Sequence, residues 1–236
     1  MALKVTKTSE IPAFLAMEMM NATRVLEARG VDLVHLEVGQ PSTPPPAGVL
    51  RALTKALPSV QTHGYSTAFG EMALRRRIAA HYHDWYGKRP DPANVAVTLG
   101  TSLGFALAFL AAFDRGDRIA LANPGYPAYR NLMKALGLNP VLLPARASEG
   151  WVPKLDALAA MGDLPDGLLL ASPANPTGVV MHDDEVKAIC EWCDKNGVRL
   201  IMDEIYHGLT FEARPTSAIL HSQSAIVVNS FSKYFC

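Results

Sequence analysis

The run Leu168-Leu-Leu-Ala171-Ser172-Pro-Ala-Asn175-Pro176-Thr177-Gly178, followed by Asp183–Asn196 and then Leu200-Ile-Met202-Asp203-Glu-Ile-Tyr206, decides the fold class. Two short apolar runs flank a segment with helical periodicity, in which Val186, Ile189, Cys190 and Cys193 share one face. Strands of this length have no polar alternation only when both sheet faces are covered, and the helix between them makes the pair parallel.

The same alternation extends outward from this unit. Upstream it gives strands at Val95–Leu99, Arg118–Ala122 and Val141–Leu143, with helices over Thr101–Phe113, Ala128–Leu136 and Lys154–Met161. Downstream it gives a last strand at Ala225–Val228. The pattern predicts an α/β fold, a mostly parallel sheet with helices on both faces. Further upstream, helices are expected over Pro12–Arg29, Ala47–Leu57 and Gly70–Trp85, with a short strand at Val34–Val38. Pro41-Ser-Thr-Pro44-Pro45-Pro46 is a stiff extended linker, since proline fixes φ and removes a donor. Residues 1–46 therefore read as an N-terminal helical arm and 47–236 as the sheet domain.

Composition narrows the function classes. The 236 residues carry 22 Lys+Arg against 22 Asp+Glu, so the formal charge is zero, and 49% are hydrophobic. Bulk-charge binding of nucleic acid is excluded by that balance, as is a disordered charged tail. Three cysteines are too few for a disulfide scaffold and fit a reducing compartment, with the cytoplasm as the expected location. There is no apolar run of roughly 18 residues, and the first ten residues lack a secretory h-region.

In open parallel sheets ligands bind at the carboxyl ends of the strands. Gly100-Thr101-Ser102 follows Val95–Leu99, Pro124-Gly-Tyr126 follows Arg118–Ala122, and Asn175 follows Leu168–Ala171. Asp203 and Tyr206 follow Leu200–Met202, and Ser230-Phe-Ser-Lys233 follows Ala225–Val228. Each group suits one part of a phosphorylated aromatic aldehyde. A Gly-Thr-Ser turn opening a helix offers free N–H groups and hydroxyls to a phosphate. A tyrosine can lie on a heteroaromatic ring. A buried carboxylate can keep a pyridine nitrogen protonated, and an amide and a phenol can hold a ring oxygen. A lysine can form an imine with the aldehyde.

Simpler meanings exist for each motif alone. Asn175-Pro-Thr-Gly178 is a good turn sequence. Asp203-Glu204 imitates a Walker B acid pair, but no Gly-x-x-x-x-Gly-Lys-Ser/Thr precedes it. Ser230-x-x-Lys233 matches the serine–lysine pair of penicillin-binding enzymes without their Ser-Asp-Asn and Lys-Thr-Gly partners. No Gly-x-Gly-x-x-Gly is present for a dinucleotide. Cys190-x-x-Cys193 lacks two further ligands for a metal site and reads as core packing, so no metal is expected. His81-Tyr-His83 and Arg75-Arg76-Arg77 read as solvated helix faces.

Taken in order, Asn175-Pro-Thr-Gly178, Asp203-x-x-Tyr206 and Ser230-Phe-Ser-Lys233 resemble fold-type I pyridoxal-phosphate enzymes, the class I/II aminotransferases in particular. Tyr65 with Gly70, Gly100-Thr-Ser102 and Pro124-Gly-Tyr126 match further family positions, so the resemblance covers essentially the whole chain. It implies a pyridoxal 5′-phosphate cofactor, with Lys233 forming the Schiff base and moving the substrate α-proton. Asp203 would pair with the pyridinium nitrogen, Asn175 and Tyr206 would hold the phenolic oxygen, and Tyr126 would stack on the ring. Thr101, Ser102 and Ser230 would hold the phosphate, and Tyr65 would reach the phosphate of a neighbouring subunit in a homodimer. Gly39 falls where the substrate carboxylate is approached by backbone.

The implied reaction moves an amino group between an amino acid and a 2-oxo acid through the pyridoxamine form. C–S lyase or decarboxylase chemistry on the same cofactor, and a non-catalytic truncated copy, are the alternatives. In the family the lysine is followed by a Gly-x-Arg, a later carboxylate-binding arginine and a C-terminal small domain, none of which is in this sequence. The resemblance therefore reads residues 1–46 as the arm with part of the small domain and 47–236 as the cofactor-binding large domain, incomplete at its C-terminus, so the chain is truncated, inactive alone and poorly soluble. The strands at Val95–Leu99 and Ala225–Val228 would each lack a neighbour.

Overall fold

A computed structural model describes residues 3–160, 162–211 and 215–236. Five parallel strands form one sheet: β1 (Arg118–Asn123), β2 (Asn139–Pro144), β3 (Gly167–Ala171), β4 (Arg199–Asp203) and β5 (Ile226–Val228). Their order is β2-β1-β3-β4-β5. The helices are α1 (Leu15–Glu27), α2 (Ala47–Ala56), α3 (Met72–Tyr86), α4 (Gly100–Ala112), α5 (Pro127–Leu136), α6 (Leu155–Ala159) and α7 (Asp183–Asn196). The expected α/β architecture is therefore present, and apart from two strands each expected element lies within a few residues of its limits. Met161, at the end of the expected helix over Lys154–Met161, lies outside the described residues.

Alternation along the strands divides the core into two layers. Leu168, Leu170, Leu200 and Met202 point to one face, where α7 supplies Val186, Ile189, Cys190 and Cys193. Ile119, Leu121, Leu169, Ile201 and Val228 point to the other, against Phe105 and Phe109 of α4 and Tyr129 and Met133 of α5. Both layers bury side chains that contribute roughly 1.5–3 kcal/mol each when fully removed from water. Cys190 and Cys193 belong to this core, and burial pushes both thiols up to about 12. They pack as small apolar groups.

Two expected strands are not strands. Among the described residues Val34–Val38 has no ladder partner, and Val34 and Leu36 are almost fully exposed. Val95–Leu99 lies outside the sheet; the N–H of Val97 bonds the carbonyl of Phe69 instead, at 3.0 Å. A strand needs a neighbour to bond, and apolar alternation cannot supply one. Among the described residues β5 likewise pairs on one side only, with β4.

The polar runs on α3 are also less uniform than expected. Arg75 is buried and donates to the carbonyls of Pro92 and Ala93 at 3.0 Å each, fastening α3 to the segment before α4. Tyr82 is buried and His81 rests against Trp85 with ring centres 4.6 Å apart, which leaves His83 as the solvated member. Helices α1 and α2 contribute no fully buried residue.

Candidate functional site

Chain order sends β2 to one side of β1 and β3 to the other, so the crevice outside the carboxyl ends of β1 and β3 is a topological switch point. Tyr126 follows β1 there and Asn175 follows β3. Pairing of Ala171 with Asp203 sets the end of β4 level with the end of β3. As a result the Asn175 amide donates to the Tyr206 hydroxyl at 3.3 Å, although 31 residues separate them.

Asp203 is the buried charge of the site, 4% exposed. Its Oδ2 accepts from the Tyr129 hydroxyl and its Oδ1 from the N–H of Ile205 at 3.0 Å. Burial pushes the carboxyl up to about 6, against the pull of those two hydrogen bonds. The hydroxyls of Tyr126 and Tyr206 are also raised, by burial first and by the Asp203 charge as well; Tyr206 further raises Tyr126, while the Asn175 bond pulls Tyr206 down. The three groups therefore share one electrostatic neighbourhood. The Tyr126 ring is held edge-on by Tyr129 at 5.3 Å and by Phe14 at 5.5 Å.

Lys233 reaches this group from beyond β5. Its Nζ lies 5.8 Å from the centre of the Tyr206 ring and donates to the carbonyl of Gly39 at 2.9 Å, which brings the N-terminal arm to the site. Gly100, Thr101 and Ser102 form the first turn of α4, and Leu99 before them supplies no side-chain cap. The Gly100 N–H is already bonded to the Thr98 carbonyl at 2.9 Å, which leaves the N–H groups of Thr101 and Ser102 to meet an anion. A Cβ on Gly104 would meet Thr98 Oγ1 at 3.3 Å and Val228 Cγ1 at 3.8 Å, so the glycine lets α4 lie close to β5. Ser230, just after β5, holds its hydroxyl 2.7 Å from that of Ser232.

Tyr65 is not brought to the others; its side chain is fully exposed. Sequence reasoning gave no role to Tyr129, whose hydroxyl occupies Asp203. No local spacing points to it, since Tyr126 is the extended residue just before α5 and does not share its helix face. Glu204 and His207 were missed as well. They are the buried reverse side of the turn that carries Asp203 and Tyr206. The Glu204 carboxylate accepts from Ser217 at 2.7 Å and from the N–H of Ala218 at 2.8 Å.

An acid, an amide, two phenols, a lysine and a helix start thus gather at the carboxyl edge of a parallel sheet, where α/β proteins place their ligand sites. The chain belongs to the aminotransferase class I and II family, whose model matches residues 31–236. It is 44% identical over 234 residues to a valine–pyruvate aminotransferase of Mycobacterium tuberculosis, covering 98% of this chain and 60% of that protein. It is 32% identical to a (5-formylfuran-3-yl)methyl phosphate transaminase of Methanocaldococcus jannaschii, covering 94% and 58%. A crystal structure of an aminotransferase from M. tuberculosis superposes with a TM-score of 0.94 at 44% identity, covering 99% of this chain and 61% of that one. An aspartate aminotransferase from Thermus thermophilus with maleate gives 0.93 at 25% identity, covering 99% and 62%. The chain thus spans about 60% of the length of these relatives. Among the described residues no helix is long and apolar enough to cross a membrane.

Proposed function

We propose that this chain binds pyridoxal 5′-phosphate and that its activity is transfer of an amino group between an amino acid and a 2-oxo acid. The observation that carries this reading is Asp203: a buried carboxyl pushed up to about 6, a few residues from the Asn175–Tyr206 pair. A cationic ring nitrogen beside Asp203 would favour its ionised form and offset the burial that now opposes it. The donor set therefore fits the group. When bound, the cofactor supplies an aldehyde that condenses with amines and a pyridinium ring that takes up electrons.

The chain's own residues do the rest. Asp203, kept anionic by Tyr129 and Ile205 N–H, would hold the ring nitrogen protonated. Asn175 and Tyr206 are already paired at 3.3 Å, so both could turn donors to one phenolic oxygen. Tyr126 offers its face to the ring. The hydroxyls and N–H groups of Thr101 and Ser102, together with Ser230, would take the phosphate. Lys233 would hold the aldehyde carbon through Nζ and then carry the proton at the substrate α-carbon.

Residues 47–236 act in this reading as the cofactor domain, and 1–46 as an arm that delivers Gly39 to the substrate carboxylate. The Lys233–Gly39 bond supports that placement. Full exposure of Tyr65 supports a homodimer in which it serves the partner's phosphate. The free cysteines support a cytoplasmic location. The name of the mycobacterial relative makes valine and pyruvate the first substrate pair to try.

The test is borohydride reduction of the protein with pyridoxal 5′-phosphate, followed by peptide mass spectrometry. The pyridoxyl group is expected on Lys233 and absent from Lys233→Ala. An unmodified Lys233 beside labelled surface lysines would overturn the reading.

A further inference from the structure

After β5 the chain forms only a turn, closed by the Phe235 N–H on the Phe231 carbonyl at 3.3 Å, and side chains hold residues 229–236 to the rest of the fold. One turn of α3 supplies the holds. The Tyr82 hydroxyl accepts from Asn229 Nδ2 at 3.4 Å, beside Ser230. The Trp85 ring meets Tyr234 edge-on at 5.2 Å, beside Lys233. The Tyr86 hydroxyl lies 2.6 Å from His207 Nδ1, beside Tyr206. Each contact thus falls on the immediate neighbour of a residue assigned to the cofactor.

Gly208 closes the set. Its φ is +93°, and a Cβ there would stand 2.4 to 2.8 Å from three atoms of the Tyr234 ring. The ring therefore rests on the backbone two residues past Tyr206, in a space that only glycine leaves open. We infer that Tyr234, seated between Trp85 and Gly208, is a positioning residue that fixes Lys233 relative to Tyr206. A lysine has four flexible methylenes, so the placement of its Nζ depends on how firmly the backbone beneath it is held. An aromatic ring in a two-sided slot holds that backbone with only two side-chain torsions to order. The inference rests on the assignment of Lys233 and Tyr206 to the cofactor, and its test separates the two.

The first measurement is amide hydrogen exchange on the cofactor-free chain, which reads local opening directly. Tyr234→Leu is expected to speed exchange about tenfold in both 230–235 and 205–209, the loss of one well-packed aromatic pair. The β3 amides should not change, and Tyr234→Phe should match the parent. Gly208→Ala, which pushes a methyl against the same ring, should reproduce the pattern from the other side. Unchanged exchange in 205–209, or a rise that includes β3, would overturn the inference.

The second measurement is reductive pyridoxyl labelling of Lys233 against cofactor concentration and pH. Tyr234→Leu should raise the half-saturating concentration about tenfold and shift the pH profile of labelling, while Tyr234→Phe keeps both. Identical curves for Leu and parent would overturn the positioning role. A parent chain that takes no label at Lys233 would instead count against the proposed function, and the exchange result alone would then decide this inference.

Discussion

Tyr129 donates its hydroxyl to Oδ2 of Asp203, and both residues are buried, 5% and 4% exposed. The bond crosses 74 residues of sequence and joins the first turn of α5 to the end of β4. Burial opposes the Asp203 anion and Tyr129 supports it. Tyr129→Phe should therefore cost about 1–2 kcal/mol at pH 8, where the carboxyl is ionised, and less at pH 5. Asp203 should also titrate higher than in the parent. Urea denaturation at the two pH values and carbon NMR of the carboxyl would check this; an equal loss at both would mean that Tyr129 does not hold the anion.

Glu204 makes a different demand on pH. It is fully buried, and burial pushes its carboxyl from 4.5 up to about 8. The folded chain keeps a proton that the unfolded chain has lost, so this stabilisation is complete below 4.5 and fades as pH rises through 8. His207 works the other way: burial lowers it from 6.5 to about 4, so it adds stability as pH rises between those values. From pH 6.5 to 8 Glu204 outweighs it. The unfolding free energy should fall by about 1–2 kcal/mol over that window, and Glu204→Gln should flatten the fall. A slope unchanged in the glutamine variant would refute the assignment.

The strands and their chemistry were legible because both lie in local sequence. Leu168–Ala171 and Leu200–Met202 are apolar without alternation, which only a doubly covered strand tolerates, and Asn175, Asp203 and Tyr206 stand directly after them. Val34–Val38, which alternates apolar and polar residues, and Val95–Leu99 also read as strands but form no ladder, since pairing depends on a neighbour that a five-residue window does not contain. Tyr129 was illegible for a related reason. Its role is fixed by Asp203, and only the return of β4 past β3 beside β1 brings the two together. Glu204 was hidden because an acid pair after a strand has several meanings until Ser217 and Ala218 are seen to occupy it.

Asn175 and Tyr206 share one hydrogen bond, so their effects on cofactor binding should not add. Asn175→Ala and Tyr206→Phe are each expected to raise the half-saturating concentration for labelling Lys233 about tenfold. The double variant should lose far less than the product of the two. Full additivity across the cycle would show that the pair does not act on one oxygen.

Leu103, Leu107 and Leu110 are 40%, 48% and 64% exposed along one side of α4. Their spacing makes a continuous apolar stripe. The 236-residue chain should associate as its concentration rises. Replacing Leu107 and Leu110 by lysine should reduce that association in sedimentation experiments. Identical sedimentation of the two forms would clear the stripe of any part in it.

Gly125 carries the turn between β1 and Tyr126. A Cβ there would sit 2.4 Å from the carbonyl oxygen of Ala122 and 3.4 Å from its carbon. Both atoms belong to the backbone of β1, which its neighbours in the sheet hold, so the turn must open instead. Opening it would move Tyr126 off the edge of Tyr129 and away from Phe14. Gly125→Ala should therefore destabilise the chain by about 1–3 kcal/mol. It should also raise the half-saturating concentration for labelling Lys233, because the ring-facing tyrosine is displaced. Gly162→Ala is the matched control: nothing lies within 4 Å of the Cβ it would add, and its φ is not in the left-handed region. If both alanine variants unfold and label alike, the tight approach at Ala122 does not set the position of Tyr126.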